Sequence, residues 1–337
     1  MQLVCLLMAA APAVLLLGAH VVEDGSWRSQ LVALALWPAA GALGLTALLS
    51  GARANSADRV QTDEHDVAAL ETFASRYGEV TLAPVAVVIA AYDEAAGLPD
   101  VLKDLPSTVC GLDVDVVVVD DGSMDATSAA VGDKAYLVAS PVNRGQGAAL
   151  RLGYRVARVG GASYIVTTDA DGQYDPDDFP VVLAPILDGR ADFVTGSRRL
   201  GHQQTRDRFR RAGVHVFAWV VSAMTGQRHT DTSFGLRAMR AEVTAAVTLN
   251  QPQYQSSELL LGAHSHGYRV IEVPGRMCVR SAGTTKKGRN LVYGTRYARV
   301  VLGTWWREGC PRPVSERASA LAFARAASGE SSTDGRW

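Results

Sequence analysis

Apolar and polar positions divide the chain into three regions with different patterns. Residues 1–22 and 31–51 are two long uncharged stretches, and each is close to the ~20 residues that a helix needs to cross a bilayer. From residue 84, short apolar runs alternate with stretches of helical periodicity, which predicts the strands and helices of an α/β domain. Residues 308–337 become rich in Ala, Ser, Arg and Gly and predict a mobile tail, with one helical piece near 316–327.

The first region, residues 1–52, predicts a hairpin of two transmembrane helices joined by a short polar loop. A signal peptide fits poorly, because no Lys or Arg precedes the first stretch and a second apolar stretch follows it. A buried helical hairpin of a soluble protein is the other interpretation. Arg53 and Arg59 follow the second stretch, so the positive-inside rule indicates a multi-pass protein of the cell membrane whose main domain is cytoplasmic.

Residues 53–83 predict an amphipathic connector, with Val67, Leu70 and Phe73 at helical spacing between Gln61 and Gly78. We expect its apolar stripe to pack on the domain or on the membrane surface.

Residues 84–307 predict a mainly parallel sheet that is covered by helices on both faces. The predicted strands are Val85–Ala91, Asp115–Val119, Ala135–Ala139, Tyr164–Thr168, Asp192–Gly196, Phe234–Met239 and Tyr268–Val273. The predicted helices are Ala95–Leu105, Asp125–Val131, Gly147–Ala157, Pro176–Leu187, Phe209–Met224, Ser256–His264 and Leu291–Trp306. In such sheets ligands bind at the carboxyl ends of the strands.

Composition narrows the classes of partner. The net charge is −1, so no overall basic field indicates a nucleic-acid partner. The four cysteines are scattered and form no C-x-x-C pair, which argues against a zinc site or a disulfide framework and agrees with a reducing compartment.

Two aspartates, Asp169 and Asp171, follow the apolar run Tyr164–Thr168. Because alternate side chains of a strand point the same way, both carboxylates are expected on one face before a turn at Gly172. Hard oxygen ligands at this place suit Mg²⁺ or Mn²⁺. An isolated Asp-x-Asp is also typical of a solvated acidic turn.

Two further strand ends carry acidic groups. Tyr92-Asp93-Glu94 follows the first strand and Asp120-Asp121-Gly122-Ser123 the second. A ring and carboxylates at such ends can stack on a base and accept hydrogen bonds from ribose. The alternative is that Asp93 or Glu94 caps the following helix.

The segment Asn143-Arg144-Gly145-Gln146-Gly147 superficially matches a dinucleotide fingerprint, but Leu150 occupies the third glycine position. We therefore exclude a dehydrogenase. We expect these glycines and Arg144 to let backbone and charge approach a phosphate or the strand that bears Asp169.

Taken together, the motifs resemble the family-2 glycosyltransferases of the GT-A fold, a Rossmann-like mixed sheet that binds nucleotide-diphospho-sugars. The branch it resembles is that of dolichyl-phosphate mannose synthase and bacterial polyprenyl-phosphate glycosyltransferases. The matching segments are Val-Val-Ile-Ala-Ala-Tyr-Asp-Glu (87–94), Val-Val-Val-Val-Asp-Asp-Gly-Ser (116–123), Asn-Arg-Gly-Gln-Gly-Ala-Ala (143–149), Asp-Ala-Asp-Gly-Gln (169–173), Gly-Ser-Arg (196–198), Asp-Thr-Ser-Phe-Gly-Leu-Arg-Ala-Met (231–239), Glu-Leu-Leu (258–260), Glu-Val-Pro (272–274) and Arg-Ser-Ala-Gly-Thr-Thr-Lys (280–286).

The resemblance implies a role for each matching position. The residues implied to bind the nucleotide sugar are Ala91, Tyr92, Glu94, Asp120, Asp121, Gln146, Asp169, Ala170, Arg280 and Lys286. Asp169 and Asp171 would hold Mg²⁺ or Mn²⁺ on the diphosphate. Arg198 would meet an acceptor phosphate together with Arg210 and Arg211, because the guanidinium fork binds phosphate in two places; a solvated or membrane-facing basic patch is the alternative for these arginines. The candidate catalytic residues are Asp171, Arg198 and Asp231.

The chain departs from the family pattern at four positions. Ala90 replaces a usual proline, Asp93 an asparagine, Gln146 a lysine and Phe234 a small polar residue. These changes bear on the sugar and the acceptor pocket more than on the class of reaction.

The expected reaction is one displacement at the anomeric carbon with inversion, and the expected acceptor is a polyprenyl phosphate at the cytoplasmic membrane face. If the acceptor is instead a hydroxyl, a base is needed, and Asp231 is the candidate; a structural carboxylate is the other interpretation of Asp231. A non-catalytic nucleotide-binding scaffold is a third hypothesis. The sequence argues against a processive polysaccharide synthase, since no Gln-x-x-Arg-Trp motif occurs and two spans are too few for a channel.

Overall fold

The structure is a computed structural model and describes residues 64–203, 208–278 and 290–308. The predicted transmembrane hairpin, Arg280, Lys286 and residues 309–337 lie outside this part of the chain, and so do the side chains of Arg210 and Arg211. Within the described ranges, no helix combines the length and the apolar character that a membrane span requires.

The described chain alternates strands with helices. The strands are β1 (Val85–Ala91), β2 (Thr108–Val109), β3 (Leu112–Asp121), β4 (Tyr136–Ser140), β5 (Tyr164–Asp169), β6 (Phe193–Gln203), β7 (Arg237–Arg240) and β8 (Val270–Met277). The helices are α1 (Glu64–Tyr77), α2 (Leu98–Asp104), α3 (Thr127–Ala130), α4 (Gln146–Val159), α5 (Phe179–Leu187), α6 (Arg208–Thr225), α7 (Ala241–Ala246), α8 (Gln255–Ser265) and α9 (Asn290–Arg307). A 3₁₀ turn, Pro176–Asp178, precedes α5.

These strands form one mixed sheet with the order β2-β3-β1-β5-β7-β6-β8, and β4 also pairs with β3. The pairs β1–β3, β1–β5, β3–β4 and β6–β8 are parallel, whereas β7 is antiparallel to both of its neighbours. The mainly parallel sheet predicted from the sequence is therefore confirmed, with β7 reversed between its neighbours and the two-residue strand β2 antiparallel to β3.

The two faces of β1 show why the sheet is covered on both sides. Val85, Val87 and Ile89 pack into one core cluster, and Ala86 and Val88 pack into the other. All five are completely buried, as expected for a parallel strand with helices on each face. Each fully buried Val or Ile contributes about 1.5–3 kcal/mol relative to an exposed one.

The connector helix α1 packs on the domain. Ala69 and Phe73 are buried, and the Phe73 and Tyr77 rings contact each other at 4.9 Å between centroids. Tyr77 also lies 5.2 Å from the Tyr136 ring of β4, and its hydroxyl accepts a hydrogen bond from the Leu137 amide at 3.1 Å. Of the two packing partners expected for this helix, the domain is the one it contacts.

Candidate active site

The carboxyl ends of β3, β1 and β5 meet at one edge of the sheet. Ala91 pairs with Asp120 across β1 and β3, and Ala90 pairs with Asp169 across β1 and β5. The acidic strand ends predicted from the sequence therefore lie side by side, with Tyr92 and Glu94 partly exposed in the turn that follows β1.

That first turn is held by the loop after β3. Asp93 has a left-handed backbone, with φ of 49°, and its amide donates to the Ser123 hydroxyl at 2.9 Å. The Asp93 carboxylate accepts from the Met124 amide at 2.8 Å, and the Glu94 amide donates to Thr127 Oγ1 at 2.9 Å. The capping alternative for Asp93 and Glu94 is wrong, because α2 begins after Gly97 without a side-chain cap.

The adjacent carboxylates of Asp120 and Asp121 have different environments. Asp120 accepts from the amide of Ser123 at 2.9 Å and from its hydroxyl at 2.5 Å, and also from the Ser128 hydroxyl. Asp121 accepts from the Arg144 and Gly145 amides at 3.1 and 2.6 Å. Burial raises the pKa of Asp121, and these two amides oppose that rise. Asp121 thus anchors the Arg144–Gly145 loop beside the site.

The glycines of this loop allow a close backbone contact with the segment before α8. A Cβ at Gly145 would lie 2.4 Å from the Pro252 carbonyl oxygen, and a Cβ at Gly147 would lie 1.9 Å from that of Gln251. The Gly147 amide donates to the Pro252 oxygen at 2.9 Å. This packing brings the Gln146 amide group within 2.9 Å of Asp169 Oδ1.

We expected Arg144 to bring charge to a phosphate or to the strand that bears Asp169, and the structure directs its guanidinium to the connector helix α1. Its guanidinium pairs with Asp66 of α1 at 2.7 Å, where both side chains are largely buried. Arg151 also reaches Asp66, at 3.4 Å. The guanidinium of Arg144 therefore binds the loop to the connector helix α1, while the backbone amide of Arg144 donates to Asp121 in the site.

The charges of Asp169 and Asp171 both influence the pKa of the Tyr174 hydroxyl. Burial raises the pKa of Tyr174 well above its ordinary value, and the charges of Asp169 and Asp171 raise it further. Tyr174 accepts a hydrogen bond from the Gly235 amide at 2.8 Å. A Cβ at Gly235 would lie 2.9 Å from Asp169 Oδ2, so a side chain at this position would displace the carboxylate. The turn predicted at Gly172 is present, with φ of 69°.

The donor set of this aspartate pair fits a divalent cation. Asp171 is buried and uses Oδ1 to accept from the Gln173 amide at 3.1 Å, whereas Asp169 is half-exposed. Two carboxylates supply part of a Mg²⁺ shell, and water and substrate phosphates commonly supply the rest. In the described ranges, no group of three or more His, Cys, Asp or Glu side chains is arranged to hold a metal ion.

A buried cation lies below Asp169 on the same face of the sheet. In the strand register, Arg237 of β7 lies opposite Thr167 of β5 and Thr195 of β6. Arg237 is 3% exposed, and its Nε has no hydrogen-bond partner among the described residues. Burial lowers the pKa of its guanidinium, but arginine remains charged at neutral pH.

On the acceptor side, Arg198 is paired with Asp231. Arg198 Nε lies 2.5 Å from Asp231 Oδ2, and the exposed side-chain fractions are 6% and 0%. Arg198 Nη2 donates to the Ser233 hydroxyl at 3.0 Å, and the Ser233 amide donates to Asp231 Oδ1 at 3.1 Å. The structure therefore brings these two predicted catalytic residues together as a buried ion pair.

Phe234 lies beneath this pair and not in an open pocket. It is fully buried, and a Cβ at Gly196 or at Gly275 would lie 2.4 or 2.8 Å from its ring. The Arg198 guanidinium lies 5.7 Å from the ring centroid. The large residue at this position is thus accommodated between two glycines of β6 and β8.

Several residues of the site were not singled out from the sequence. Ser128 donates to Asp120, and Glu272 accepts from the Asp231 amide. Tyr174 and Gly235 are hydrogen-bonded to each other next to Asp169, and Thr230 binds Glu272. Gly235 and Glu272 lie within segments that match the family pattern, so the sequence alone could have indicated them. Ser128 and Tyr174 stand outside them, and only the folded chain brings them to the site.

Comparison with known proteins agrees with this geometry. The sheet and its acidic edge define an α/β fold of the GT-A type. The solved structure of glucosyl-3-phosphoglycerate synthase from Mycobacterium tuberculosis, in complex with Mn²⁺, UDP and glucosyl-3-phosphoglycerate, matches with a TM-score of 0.53 at 20% identity, over 73% of this chain and 85% of that one. At this identity the likeness establishes the fold alone.

Sequence relatives establish the family. The sequence model of Glycosyl transferase family 2 matches residues 86–247. The dolichyl-phosphate hexose transferase of Haloferax volcanii is 32% identical over 58% of this chain and 83% of its own length. The undecaprenyl-phosphate mannosyltransferase of Micrococcus luteus is 29% identical over 62% of this chain and 89% of its own length. The chain belongs to glycosyl transferase family 2 and is a glycosyltransferase.

Proposed function

We propose that this enzyme transfers a sugar, with inversion and with the help of a divalent metal, from a nucleotide-diphosphate sugar to a polyprenyl phosphate of the dolichyl or undecaprenyl type. The transfer takes place at the cytoplasmic face of the cell membrane. The observation that carries this proposal is the buried ion pair of Arg198 and Asp231.

The ion pair favours a phosphate acceptor over a hydroxyl acceptor. Asp231 is fully buried, and both of its carboxylate oxygens already accept hydrogen bonds from Arg198 or Ser233, so neither oxygen is placed to take a proton from a hydroxyl acceptor. A phosphate monoester is already anionic at neutral pH and needs no base. Arg198, by contrast, carries the guanidinium that phosphate binds best.

The names of the relatives agree with such an acceptor. The Haloferax volcanii protein is named for dolichyl phosphate and the Micrococcus luteus protein for undecaprenyl phosphate. These are two polyprenyl phosphates of different type, and the shared element is the phosphate on a long isoprenoid chain.

In the proposed mechanism, the edge formed by β1, β3 and β5 binds the nucleotide through Tyr92, Glu94 and Asp120. Asp169 and Asp171 would hold Mg²⁺ or Mn²⁺, which when bound supplies a Lewis acid for the charge on the departing diphosphate. Gln146 orients Asp169. Arg198 holds the acceptor phosphate, one oxygen of which forms the new bond to the anomeric carbon while the bond from that carbon to the diphosphate oxygen breaks.

Location at the membrane is part of the proposal. Trp219 and Val216 are 72% and 58% exposed on α6, and Leu200 of β6 is 49% exposed. The sequence places Arg208, Arg210 and Arg211 at the start of α6. Exposed aromatic and apolar residues beside basic ones are typical of a surface that lies in the membrane interface.

A direct test uses the full chain in detergent or nanodiscs with a panel of nucleotide sugars. Undecaprenyl phosphate is offered as acceptor, and undecaprenol, which lacks the phosphate, is the matched control. We expect sugar transfer to the phosphate only, loss of transfer with a chelator, and recovery when Mn²⁺ or Mg²⁺ is added, all read by mass spectrometry. Transfer to undecaprenol would support the hydroxyl alternative, and no transfer from any donor would contradict the proposal.

A further inference from the structure

Glu272, on β8, holds the turn that carries Asp231. Its carboxylate accepts from the Thr230 amide at 2.8 and 3.0 Å, from the Thr230 hydroxyl at 2.8 Å and from the Asp231 amide at 3.1 Å. The Glu272 side chain is 6% exposed. All these partners are donors, so the position requires a group that only accepts hydrogen bonds, which an ionised carboxylate is.

The same turn is bound from β6 as well. The strands β6 and β8 are parallel neighbours, with Thr195 opposite Glu272. Thr230 Oγ1 lies 2.6 Å from the Ser197 hydroxyl, and the next residue of β6, Arg198, pairs with Asp231. A continuous set of contacts therefore runs from Glu272 through the turn to the guanidinium.

Behind Glu272 lies a pair of buried histidines. His229 Nδ1 is 3.6 Å from Glu272 Oε1, an ion-pair separation and too long for a hydrogen bond. His229 Nε2 lies 2.9 Å from His264 Nε2 of α8. Although burial alone would raise the pKa of Glu272, His229, the Asp231 amide and Thr230 together hold that pKa below its ordinary value. Glu272 is therefore ionised at neutral pH.

We propose that Glu272 is a positioning residue of this glycosyltransferase: it fixes the turn of Thr230 and Asp231, and through Asp231 it orients Arg198 toward the acceptor phosphate. Glu272 touches no substrate in this scheme. The identity of the acceptor rests on the proposed function, but the orientation of Arg198 by Glu272 does not.

The test compares Glu272→Gln with the wild type in the full chain. Glutamine keeps the shape but turns one acceptor into a donor that faces the backbone amides. Because this substitution weakens hydrogen bonds that involve a charged group, we expect the KM for undecaprenyl phosphate to rise by about tenfold or more. The KM for the nucleotide sugar should stay within about twofold, since the donor edge does not contact Glu272. A purely structural role would move both constants together or neither.

Thr230→Val provides a second variant in case Glu272→Gln does not fold. It removes only the hydroxyl that contacts Glu272 and Ser197, so we expect a smaller but equally selective rise in the acceptor KM. Asp192→Asn is the matched control. Asp192 also accepts from a backbone amide next to β8, that of Arg269 at 3.0 Å, but it precedes β6 and is not among the contacts of Glu272 with the Thr230–Asp231 turn. It should lower stability without any change in the ratio of the two KM values.

Failure of the proposed function is distinguishable from failure of this inference. If the wild type transfers nothing to undecaprenyl phosphate, the acceptor assignment fails, and hydrogen exchange of residues 229–233 with the NMR signal of Arg198 Nε still tests Glu272. Faster exchange of this turn and a displaced Arg198 signal in Glu272→Gln, but not in Asp192→Asn, support the inference. An unchanged acceptor KM, or an unchanged turn and Arg198 signal, overturns it.

Discussion

At the scale of single residues, the Arg198–Asp231 pair is exceptional because both charges are almost fully removed from water. A buried pair of this kind adds little net stability compared with apolar residues, but removing one partner leaves an uncompensated buried charge. If the site binds an acceptor phosphate as we propose, the pair keeps the Arg198 guanidinium in one orientation before that acceptor binds. Its value is therefore in pre-organisation of the site.

Asp231→Asn tests this interpretation. We expect a loss of about 3–5 kcal/mol in the free energy of unfolding, because the buried Arg198 guanidinium loses the negative charge of Asp231. The double variant Arg198→Gln/Asp231→Asn should be less destabilised than the sum of the two single variants. The measurement is urea unfolding of the full chain, with Asp188→Asn as control. Asp188 pairs with Arg190 on the surface, where an ion pair contributes only about 0–1 kcal/mol. Additive losses at Arg198 and Asp231 would show that the two charges do not depend on each other.

Asp93 shows how one departure from the family pattern is explained by backbone geometry. Its φ is 49°, and Asn and Asp are the non-glycine residues that tolerate this left-handed conformation. The change from the usual asparagine therefore preserves the turn that presents Tyr92 and Glu94. The sequence identified the departure at Asp93 but not the left-handed backbone that explains it, since this φ depends on the hydrogen bonds of Asp93 with Ser123 and Met124.

At the scale of elements, the connector helix α1 is joined to the donor side of the site. Asp66 of α1 binds Arg144 and Arg151. The backbone amides of Arg144 and Gly145 bind Asp121, and Gln146 contacts Asp169. The helix that leads from the predicted membrane hairpin thus supports the loop that orients a predicted metal ligand.

Asp66→Asn tests this support. Without the carboxylate charge, the Arg144 ion pair is lost and the loop is held less firmly, so we expect the affinity for UDP or GDP in the presence of Mn²⁺ to fall by about threefold to tenfold, equivalent to about 0.7–1.4 kcal/mol. Isothermal titration calorimetry measures the change. Glu71→Gln is the control, since Glu71 is exposed on the same helix. Equal affinities in the two variants would mean that α1 only covers the core.

Helices and strands were predictable from the sequence where the pattern within a single chain segment determines them. The apolar run Val85–Ala91 became β1 with the predicted bounds. The two-residue strand Thr108–Val109 and the short helix Ala241–Ala246 were missed, because neither is long enough to show a period. The antiparallel direction of β7 could not be predicted from the sequence either, since it depends on pairing with β5 and β6.

Residues of the site were likewise predictable only where a local sequence pattern determines their place. Strand ends such as Asp120 and Asp169 were found from the sequence, because the topology of a parallel sheet gathers them at one edge. The contacts that connect elements, such as Arg144 with Asp66 or Glu272 with Thr230, join residues far apart in sequence. No local pattern encodes which distant partner a charge will meet.

At the scale of the whole molecule, the acceptor side combines a phosphate-binding candidate with exposed apolar groups. Arg198 and Leu200 stand on the same strand, β6, and α6 follows it with Val216 and Trp219 exposed. In the proposed reaction, the long isoprenoid chain of the acceptor would remain in the bilayer while its phosphate reaches the enzyme. We therefore expect the α6 face with Val216 and Trp219 to lie in the membrane interface, where tryptophan is favoured.

Quenching of tryptophan fluorescence by brominated lipids tests this arrangement in the full chain reconstituted into liposomes. If the indole of Trp219 lies at the level of the lipid headgroups, bromine on the upper acyl chain quenches it, and Trp219→Phe lowers the quenched fraction of the total emission. Trp305→Phe is the control, because the indole nitrogen of Trp305 is buried inside the described fold; this change should leave the quenched fraction the same or raise it. Equal quenching in the wild type and Trp219→Phe would place the α6 face in water and require another membrane contact for delivery of the acceptor.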